Sequence, residues 1–207
     1  MVRVKVCGVT SVAQAVACVE AGVDSVGVNL VESSPRRVDE GVAAAIAREV
    51  GGRVLVVAVV AGRSVAQMRA VKARTGVGCL QLHGDESADD VVALLPHAYK
   101  AVRIAGPADV AAAEAMPGEY VMVDAKVPGM LGGSGHTFDW SLVAELGKRR
   151  KLVLAGGLTP DNVARAVQMA HPWCVDVASG VESAPREKDM GLVRAFVAAA
   201  RTTGLSD

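Results

Sequence analysis

Three side chains that can exchange protons stand at the ends of apolar, strand-like runs, namely Cys7, His83 and Asp124. A thiol, an imidazole and a carboxyl group are common carriers of general acid–base catalysis. Any one of them taken alone is equally well explained as a satisfied polar group in a core or at its rim. Together they are candidate active-site residues, provided that the fold gathers those run ends in one place.

Small residues follow two later runs at positions that suit a bound anion. Gly156 and Gly157 follow one run, and Ser179 and Gly180 follow the next. Such residues let backbone N–H groups approach a ligand closely, which is a common way to hold phosphate. Each pair alone is typical of an ordinary turn, but two pairs after successive runs favour a phosphate site.

Eight strand-like runs alternate with eight Ala-rich helical stretches along the chain. The strands are predicted at 3–7, 25–31, 53–60, 79–83, 99–104, 120–124, 151–154 and 173–178. The helices are predicted at 11–21, 40–50, 64–75, 87–95, 108–115, 140–146, 160–170 and 188–200. Alternation of this kind requires crossover connections and therefore indicates a parallel sheet.

Eight compact units in one chain favour a closed (β/α)8 TIM barrel over an open doubly wound sheet. We expect residues 1–207 to form a single domain, because no linker composition interrupts the alternation. Barrel enzymes hold their active sites at the carboxyl ends of the strands, and phosphate commonly binds after the seventh and eighth. The glycine-rich loop that contains Gly132, Gly133 and Gly135 suits either a flap over that site or an ordinary flexible connection.

Alternation within the strands separates apolar from polar side chains. In the first strand Val4 and Val6 share one face, whereas Lys5 and Cys7 share the other. In the fourth, sixth and eighth strands, valine or leucine likewise opposes Gln81, His83, Met122, Asp124 and Asp176. Because one face of a barrel strand meets the helices and the other points inward, we assign the polar face to the interior.

Composition excludes several classes of protein. The 22 Lys and Arg balance 22 Asp and Glu, so the chain offers no charge excess for nucleic acid or an anionic membrane surface. An apolar content of 51% argues against disorder. The longest apolar run, 54–61, is far shorter than the roughly 20 residues that span a bilayer. The chain does not start with a recognisable secretory signal, so we expect a soluble cytoplasmic protein.

The cysteines Cys7, Cys18, Cys79 and Cys174 lie far apart and form no CxxC or Cys/His metal-binding pattern. In a protein that is not secreted, such cysteines are expected to be reduced thiols, most of them buried. No metal site is predicted.

Six segments of the chain resemble phosphoribosylanthranilate isomerases, in that family's order and from one terminus to the other. They are Lys5-Val-Cys-Gly-Val-Thr10, Ser34-Pro-Arg36, Gln81-Leu-His-Gly-Asp-Glu86, Val123-Asp-Ala125 with Gly132-Gly-Ser-Gly135 and Phe138-Asp-Trp140, Ala155-Gly-Gly-Leu158 with Pro160-x-Asn162-Val163, and Asp176-Val-Ala-Ser-Gly-Val-Glu182. The resemblance implies a (β/α)8 barrel that acts in tryptophan synthesis. It would convert N-(5-phosphoribosyl)anthranilate to 1-(2-carboxyphenylamino)-1-deoxyribulose 5-phosphate by an Amadori rearrangement.

The same resemblance assigns roles to the site residues. Cys7 would be the general base and Asp124 the general acid. Neither a metal nor an organic cofactor would be needed, because the iminium formed on ring opening is itself the electron sink. Arg36 would pair with the anthranilate carboxylate, and Gln81 and His83 would shape the pocket. The 5′-phosphate would be held by Gly156, Gly157, Ser179 and Gly180.

Two hypotheses concern Lys5, which precedes Cys7 by two residues on the same face. Lys5 either depresses the pKa of the Cys7 thiol or pairs with a carboxylate deep in the barrel. Asp176 is expected to be a buried structural carboxylate.

The chain also departs from the family pattern. Arg186, near Pro185, replaces a customary glycine. Aliphatic or charged residues replace customary aromatic ones at Val28, Leu30, Val31 and Arg37. These changes predict an anthranilate side of altered shape, with the acid, the base and the phosphate loops in place.

Two other functions compete with this interpretation. A sugar-phosphate isomerase of histidine synthesis, or a dual-substrate relative, performs the same rearrangement. Those enzymes resemble one another in having an aspartate at the position where Cys7 stands in this chain. An inactive barrel that serves as a binding subunit would not need an intact Cys7 and Asp124. The expected partner is therefore a small phosphosugar–anthranilate substrate. A monomer is favoured over a homodimer, because no exposed apolar edge is apparent.

Overall fold

In a computed structural model, which describes residues 1–125 and 139–202, eight parallel strands close into a barrel. Strands β1 to β8 are Arg3–Cys7, Ser25–Asn29, Leu55–Val60, Cys79–Leu82, Ala98–Ile104, Tyr120–Ala125, Lys151–Leu154 and Cys174–Val177. Strand β1 pairs with both β2 and β8, which closes the ring. The predicted TIM barrel is thus confirmed. The proposed flap residues Gly132, Gly133 and Gly135 lie outside the described residues.

In the described residues eight α-helices surround the barrel, seven of them between successive barrel strands and the eighth after the last. Helices α1 to α8 are Val12–Glu20, Glu40–Val50, Val65–Thr75, Ala88–Leu94, Pro107–Ala115, Ala144–Arg149, Val163–Ala170 and Met190–Thr202. Several begin where their sequence provides a cap for free backbone N–H groups. Ser64 and Ser87, for example, each form a capping box with the residue three positions later.

The strands separate two apolar clusters, as their alternation predicts. The larger cluster lies between barrel and helices and includes Val4 and Val6. The smaller cluster fills the barrel interior with residues such as Tyr99, Met122 and Val153. Lys5 is among the largest fully buried side chains and lies on the interior face with Cys7. The interior therefore holds apolar residues toward the amino ends of the strands and ionisable groups above them.

Several local features differ from the predicted elements. Helix α6 begins at Ala144 rather than at residue 140, because Trp140–Val143 form a 3-10 turn whose start is capped by Asp139. Helix α7 begins at Val163 rather than at residue 160, because Asn162 accepts a bond from the Thr159 N–H (2.8 Å) and closes a turn before the helix. After β8, a short antiparallel hairpin of β9 (Glu182–Ala184) and β10 (Glu187–Lys188) precedes α8. That hairpin was not predicted.

The four cysteines are free thiols. Over residues 1–125 and 139–202, no group of three or more His, Cys, Asp or Glu side chains is placed to hold a metal ion. Within the same ranges no helix has the length and apolar character needed to cross a membrane.

Candidate active site

The carboxyl ends of the strands open into a cavity of about 500 Å³. Among the residues that line it are Cys7, Arg36, Gln81, His83, Asp124, Gly156, Gly157 and Ser179. Gly180 lies beside this cavity, where a side chain would collide with the carbonyl oxygen of Leu158. The barrel therefore brings together the residues singled out from the sequence, although they come from six different strands or the loops that follow them.

Asp124 lies near the end of β6 and is 5% exposed. Its Oδ1 accepts a hydrogen bond from the Ala125 N–H at 2.9 Å. Burial, together with the negative charge of Asp176, raises the pKa of the Asp124 carboxyl to about 6. A carboxyl group with this pKa keeps a substantial protonated population near neutral pH, as a general acid requires.

Cys7 ends β1 and lines the same cavity. Burial raises the pKa of its thiol above the ordinary value, although the positive charge of Lys5 acts in the opposite direction. Lys5 itself donates a 2.8 Å hydrogen bond to Asp176, so the expectation of a buried lysine–carboxylate pair is confirmed. Lys5 thus favours the Cys7 thiolate, but it does not bring the pKa below its usual range.

A chain of hydrogen bonds fixes the orientation of the Gln81 side chain. Its Oε1 accepts bonds from Lys5 Nζ at 3.0 Å and from the Tyr99 hydroxyl at 2.9 Å. The amide nitrogen therefore faces His83 and donates to its Nδ1, 3.1 Å away. A neutral imidazole that accepts at Nδ1 carries its proton on Nε2. Gln81 thus assigns the tautomer of His83.

The Nε2–H of His83 lies close to the candidate acid. Nε2 lies 3.5 Å from Asp124 Oδ2, is buried, and makes no hydrogen bond of good geometry in the described residues. Burial and the nearby positive charges of Lys100 and Lys5 lower the pKa of the imidazole to about 4. His83 is therefore a neutral donor beside Asp124 and does not titrate near neutral pH.

Nuclear magnetic resonance of protein labelled with 15N-histidine checks this tautomer. We expect the His83 proton on Nε2 and no titration of its ring down to about pH 5, because the pKa is about 4. In Gln81→Glu, a carboxylate oxygen replaces the donor, so the proton should move to Nδ1. A wild-type ring protonated at Nδ1, or one that titrates near its ordinary pKa of about 6.5, would contradict the assignment.

Arg36 lines the cavity from the loop after β2. It is held by Glu182, a residue for which no role was predicted. Its Nε and Nη2 donate to the two carboxylate oxygens of Glu182 at 2.7 and 2.6 Å. Lys188 donates to Glu182 as well, at 2.8 Å. The one feature of the sequence that could have indicated a role for Glu182 was its position at the end of the Asp176–Glu182 motif.

The two predicted phosphate loops meet at the rim of the cavity. Gly156 and Gly157 adopt left-handed φ angles of 95° and 64°, which form a sharp turn directly after β7. Asn162 stabilises this turn, because its Nδ2 donates to the Gly157 carbonyl oxygen at 2.9 Å. Ser179 opens the short 3-10 turn Ser179–Val181 after β8. The two turns therefore bring their backbones to the same cavity.

The departures from the family pattern have structural explanations. Val28 and Leu30 are buried in the cluster between barrel and helices, so neither shapes the cavity. Arg37 is half exposed and pairs with Glu32 at 3.1 Å. Of these four positions only Val31 lines the cavity. Among these four positions, Val31 alone can therefore affect the shape of the cavity, and an altered anthranilate side stays a prediction.

Arg186 has a φ of 75°, a conformation in which glycine is favoured. An L-residue there costs about 1 kcal/mol or more. Its guanidinium donates to the carbonyl oxygens of Pro35 (2.9 Å) and Arg37 (3.2 Å). These bonds offset the strain and tie the β9–β10 hairpin to the loop that carries Arg36.

The fold and the groups at its mouth place the chain among (β/α)8-barrel enzymes. The family model "N-(5'phosphoribosyl)anthranilate (PRA) isomerase" matches residues 4–199. The N-(5'-phosphoribosyl)anthranilate isomerase of Myxococcus xanthus is 45% identical over 209 residues, 99% of this chain and 98% of the relative. The chain belongs to the N-(5'-phosphoribosyl)anthranilate isomerase family, and it is an isomerase of tryptophan biosynthesis.

Solved structures agree with this assignment. The phosphoribosyl anthranilate isomerase of Thermotoga maritima has a TM-score of 0.89 at 34% identity, over 98% of this chain and 100% of that one. A phosphoribosyl anthranilate isomerase in complex with reduced 1-(o-carboxyphenylamino)-1-deoxyribulose 5-phosphate has a TM-score of 0.87 at 31% identity, with the same coverage. Monomers generated from the dimeric Thermotoga maritima isomerase have also been solved, with a TM-score of 0.86 at 33% identity over 98% of this chain and 100% of that one. The favoured monomer therefore stays a prediction.

Proposed function

We propose that this chain converts N-(5-phosphoribosyl)anthranilate to 1-(2-carboxyphenylamino)-1-deoxyribulose 5-phosphate, with Asp124 as general acid and Cys7 as general base. The observation that carries the proposal is that both groups line one cavity, where burial keeps the Asp124 carboxyl titrating near pH 6. The family to which the chain belongs supports the substrate. We further propose that it acts as a cytoplasmic monomer.

The first step opens the sugar ring. The Asp124 carboxyl gives its proton to the furanose oxygen as the bond between that oxygen and C1 breaks. The lone pair of the anthranilate nitrogen forms a double bond to C1, which yields an iminium and leaves Asp124 as a carboxylate. The Ala125 N–H already bonds to this carboxyl group, and the His83 N–H lies 3.5 Å away, so both are placed to stabilise the charge that develops.

The second step moves a proton from carbon. The Cys7 thiolate removes the proton from C2, and the electron pair of that C–H bond neutralises the iminium to give an enolamine. Transfer of the proton on the C2 hydroxyl to C1 then gives the ketone. The reaction needs no external oxidant or reductant.

Two anchors would hold the substrate across the cavity. Arg36 supplies a guanidinium fork for the planar carboxylate of the anthranilate ring. At the opposite rim the 5′-phosphate would bind backbone N–H groups of Gly156, Gly157, Ser179 and Gly180. Gln81 and His83 form the wall between them, close to the acid.

Growth of auxotrophic bacteria tests the proposed reaction. We expect the gene to restore growth without tryptophan to a strain that lacks phosphoribosylanthranilate isomerase. It should not restore growth without histidine to a strain that lacks the corresponding histidine-pathway isomerase. Rescue of both strains would indicate a dual-substrate enzyme, and rescue of neither would indicate an inactive barrel. Either result would contradict the proposal.

The pKa values of the pair predict an unusual pH profile. Between pH 6 and the thiol pKa, most molecules carry a carboxylate and a thiol, while the reactive form carries a carboxylic acid and a thiolate. Both forms hold one proton, so their ratio does not change with pH in this interval. Because burial raises the pKa of Cys7 above its ordinary value while the pKa of Asp124 is about 6, the reactive form is a small minority of the molecules.

We therefore expect a plateau in kcat/KM that falls below about pH 6, as Asp124 gains a proton while Cys7 keeps its own. Above the raised pKa of Cys7, kcat/KM should fall again, because Asp124 is then a carboxylate next to a thiolate. Initial rates measured from pH 5 to 10 check the profile. An optimum confined to a narrow peak near pH 7 would show that the two groups do not form this pair.

A further inference from the structure

The guanidinium of Arg36 has two edges that can each hold a carboxylate, and the residues that the structure describes occupy only one of them. Glu182 takes the side edge formed by Nε and Nη2, with bonds of 2.7 and 2.6 Å. The end edge, formed by Nη1 and the second hydrogen of Nη2, is left for another planar anion. Both side chains are largely buried, with exposures of 13% for Arg36 and 5% for Glu182.

Glu182 is itself held in place from the other side. Lys188 donates to Glu182 Oε1 at 2.8 Å and to the Ala178 carbonyl oxygen at 2.9 Å. The Lys188 side chain is completely buried. Ala178 directly precedes the predicted phosphate residue Ser179, so the contacts link the arginine to the phosphate loop. The three charged groups together carry one net positive charge, which keeps the site attractive to a monoanion.

The stem of Arg36 is also fixed. Gly8 has a φ of 75°, and a Cβ there would collide with Cδ of Arg36. The side chain therefore rests against the backbone that follows Cys7. Contact along the stem and a two-point bond at the side edge leave the guanidinium little rotational freedom.

We propose that Glu182 is a positioning residue that makes Arg36 a receptor for a carboxylate at its end edge. The proposal rests on the proposed function of Arg36. With the side edge filled by a carboxylate, a planar monoanion binds in the plane of the guanidinium at the end edge. A phosphate dianion is less favoured there, because it meets the negative charge of Glu182. The substrate is thereby oriented, with its carboxylate at Arg36 and its phosphate at Ser179.

A pair of product analogues tests this inference by calorimetry. One is reduced 1-(o-carboxyphenylamino)-1-deoxyribulose 5-phosphate, and the other is the same compound built on aniline, which lacks the carboxylate. We expect the wild-type protein to bind the first compound about 10- to 100-fold more tightly, as a charge-assisted bond to a buried arginine implies.

In Glu182→Gln the preference for the carboxylate compound should fall about tenfold, while the aniline compound binds within twofold of wild type. The amide presents an NH2 group to one donor of Arg36, so the guanidinium is no longer held at both nitrogens. Glu187→Gln, on the exposed neighbouring strand of the same hairpin, is the matched control and should change neither affinity. KM should rise in Glu182→Gln with kcat within about threefold of wild type.

Two outcomes would overturn the inference. Equal weakening of both compounds would mean that Glu182 only supports the fold, and tighter binding of the carboxylate compound would mean that Glu182 competes for Arg36. If Glu182→Gln unfolds because Lys188 is left unpaired, Glu182→Gln combined with Lys188→Met removes that buried charge and should show the same loss of preference. Full preference in the double variant would equally contradict the inference.

Arg36→Met separates this inference from the proposed function. If Arg36 binds the carboxylate, Arg36→Met binds both compounds with similar affinity. If Arg36→Met keeps the full preference, the role proposed for Arg36 is wrong. If Arg36→Met loses the preference and Glu182→Gln keeps it, only the role of Glu182 is wrong.

Discussion

Asp124→Asn should lower kcat about 10³-fold, within the range expected for the loss of a general acid. Asparagine has the same shape and can still accept the Ala125 N–H, but it has no proton to give to the furanose oxygen. The substitution also removes the energetic cost of burying an ionisable carboxyl group, so the fold should be retained. The expected measurement is kcat with substrate generated enzymatically in the assay, together with thermal unfolding of the variant.

Asp85→Asn provides the matched control for Asp124→Asn. Asp85 lies in the loop after β4 with its side chain 98% exposed, and its nearest ion-pair contact is Arg103 at 3.4 Å. It loses the same charge at the same end of the barrel, and kcat should stay within about twofold of wild type, as is usual for a surface substitution. A strain that depends on the Asp124→Asn protein and still grows without tryptophan would show that another group supplies the proton.

The placement of the candidate acid and base was predictable because it depends on a short-range pattern. Side chains alternate along a strand with a period of two, and eight strands closed into a ring point the same set of alternate residues inward. Val4 and Val6 face the helices while Cys7 lines the cavity, as expected. The ends of most elements could be predicted for a similar reason, because caps such as Ser64 act on neighbouring residues.

The support around Arg36 was not predictable in this way. Glu182 contacts Arg36, and Lys188 contacts Glu182. Both lie in a hairpin whose strands have three and two residues, which is too short to leave a periodic signal. Arg36 and Glu182 are 146 positions apart, so no local rule pairs them. The partner of Lys5 could not be predicted for the same reason, because Asp176 lies 171 positions away on the strand that closes the barrel.

Burial acts on the two proposed catalytic groups in the same direction, with opposite consequences for their roles. It raises the pKa of the Asp124 carboxyl, which favours the protonated form that an acid needs. It also raises the pKa of the Cys7 thiol, which disfavours the thiolate that a base needs. The thiolate that does form is a stronger base because its conjugate acid is weaker. Cys7 therefore compensates for its small ionised fraction by its greater basicity toward the C2 proton.

Cys7→Ala should consequently lower kcat by about 10³-fold or more, since no other thiol lies on the cavity wall. Cys79→Ala is the matched control, because Cys79 is also a free, partly buried thiol, but it lies at the start of β4 and does not line this cavity. We expect Cys79→Ala to retain kcat within about threefold.

A second variant at position 7 separates loss of the base from loss of packing. Cys7→Asp restores an ionisable group, and a carboxyl group loses its proton at a lower pH than a thiol does. We expect it to regain at least tenfold over Cys7→Ala and to lose the fall in kcat/KM at high pH that the thiol causes in the wild type. If the high-pH fall persists in Cys7→Asp, it belongs to another group. If Cys7→Ala is as active as wild type, the C2 proton is removed by a residue other than Cys7, and the acid and base must be sought elsewhere around the mouth.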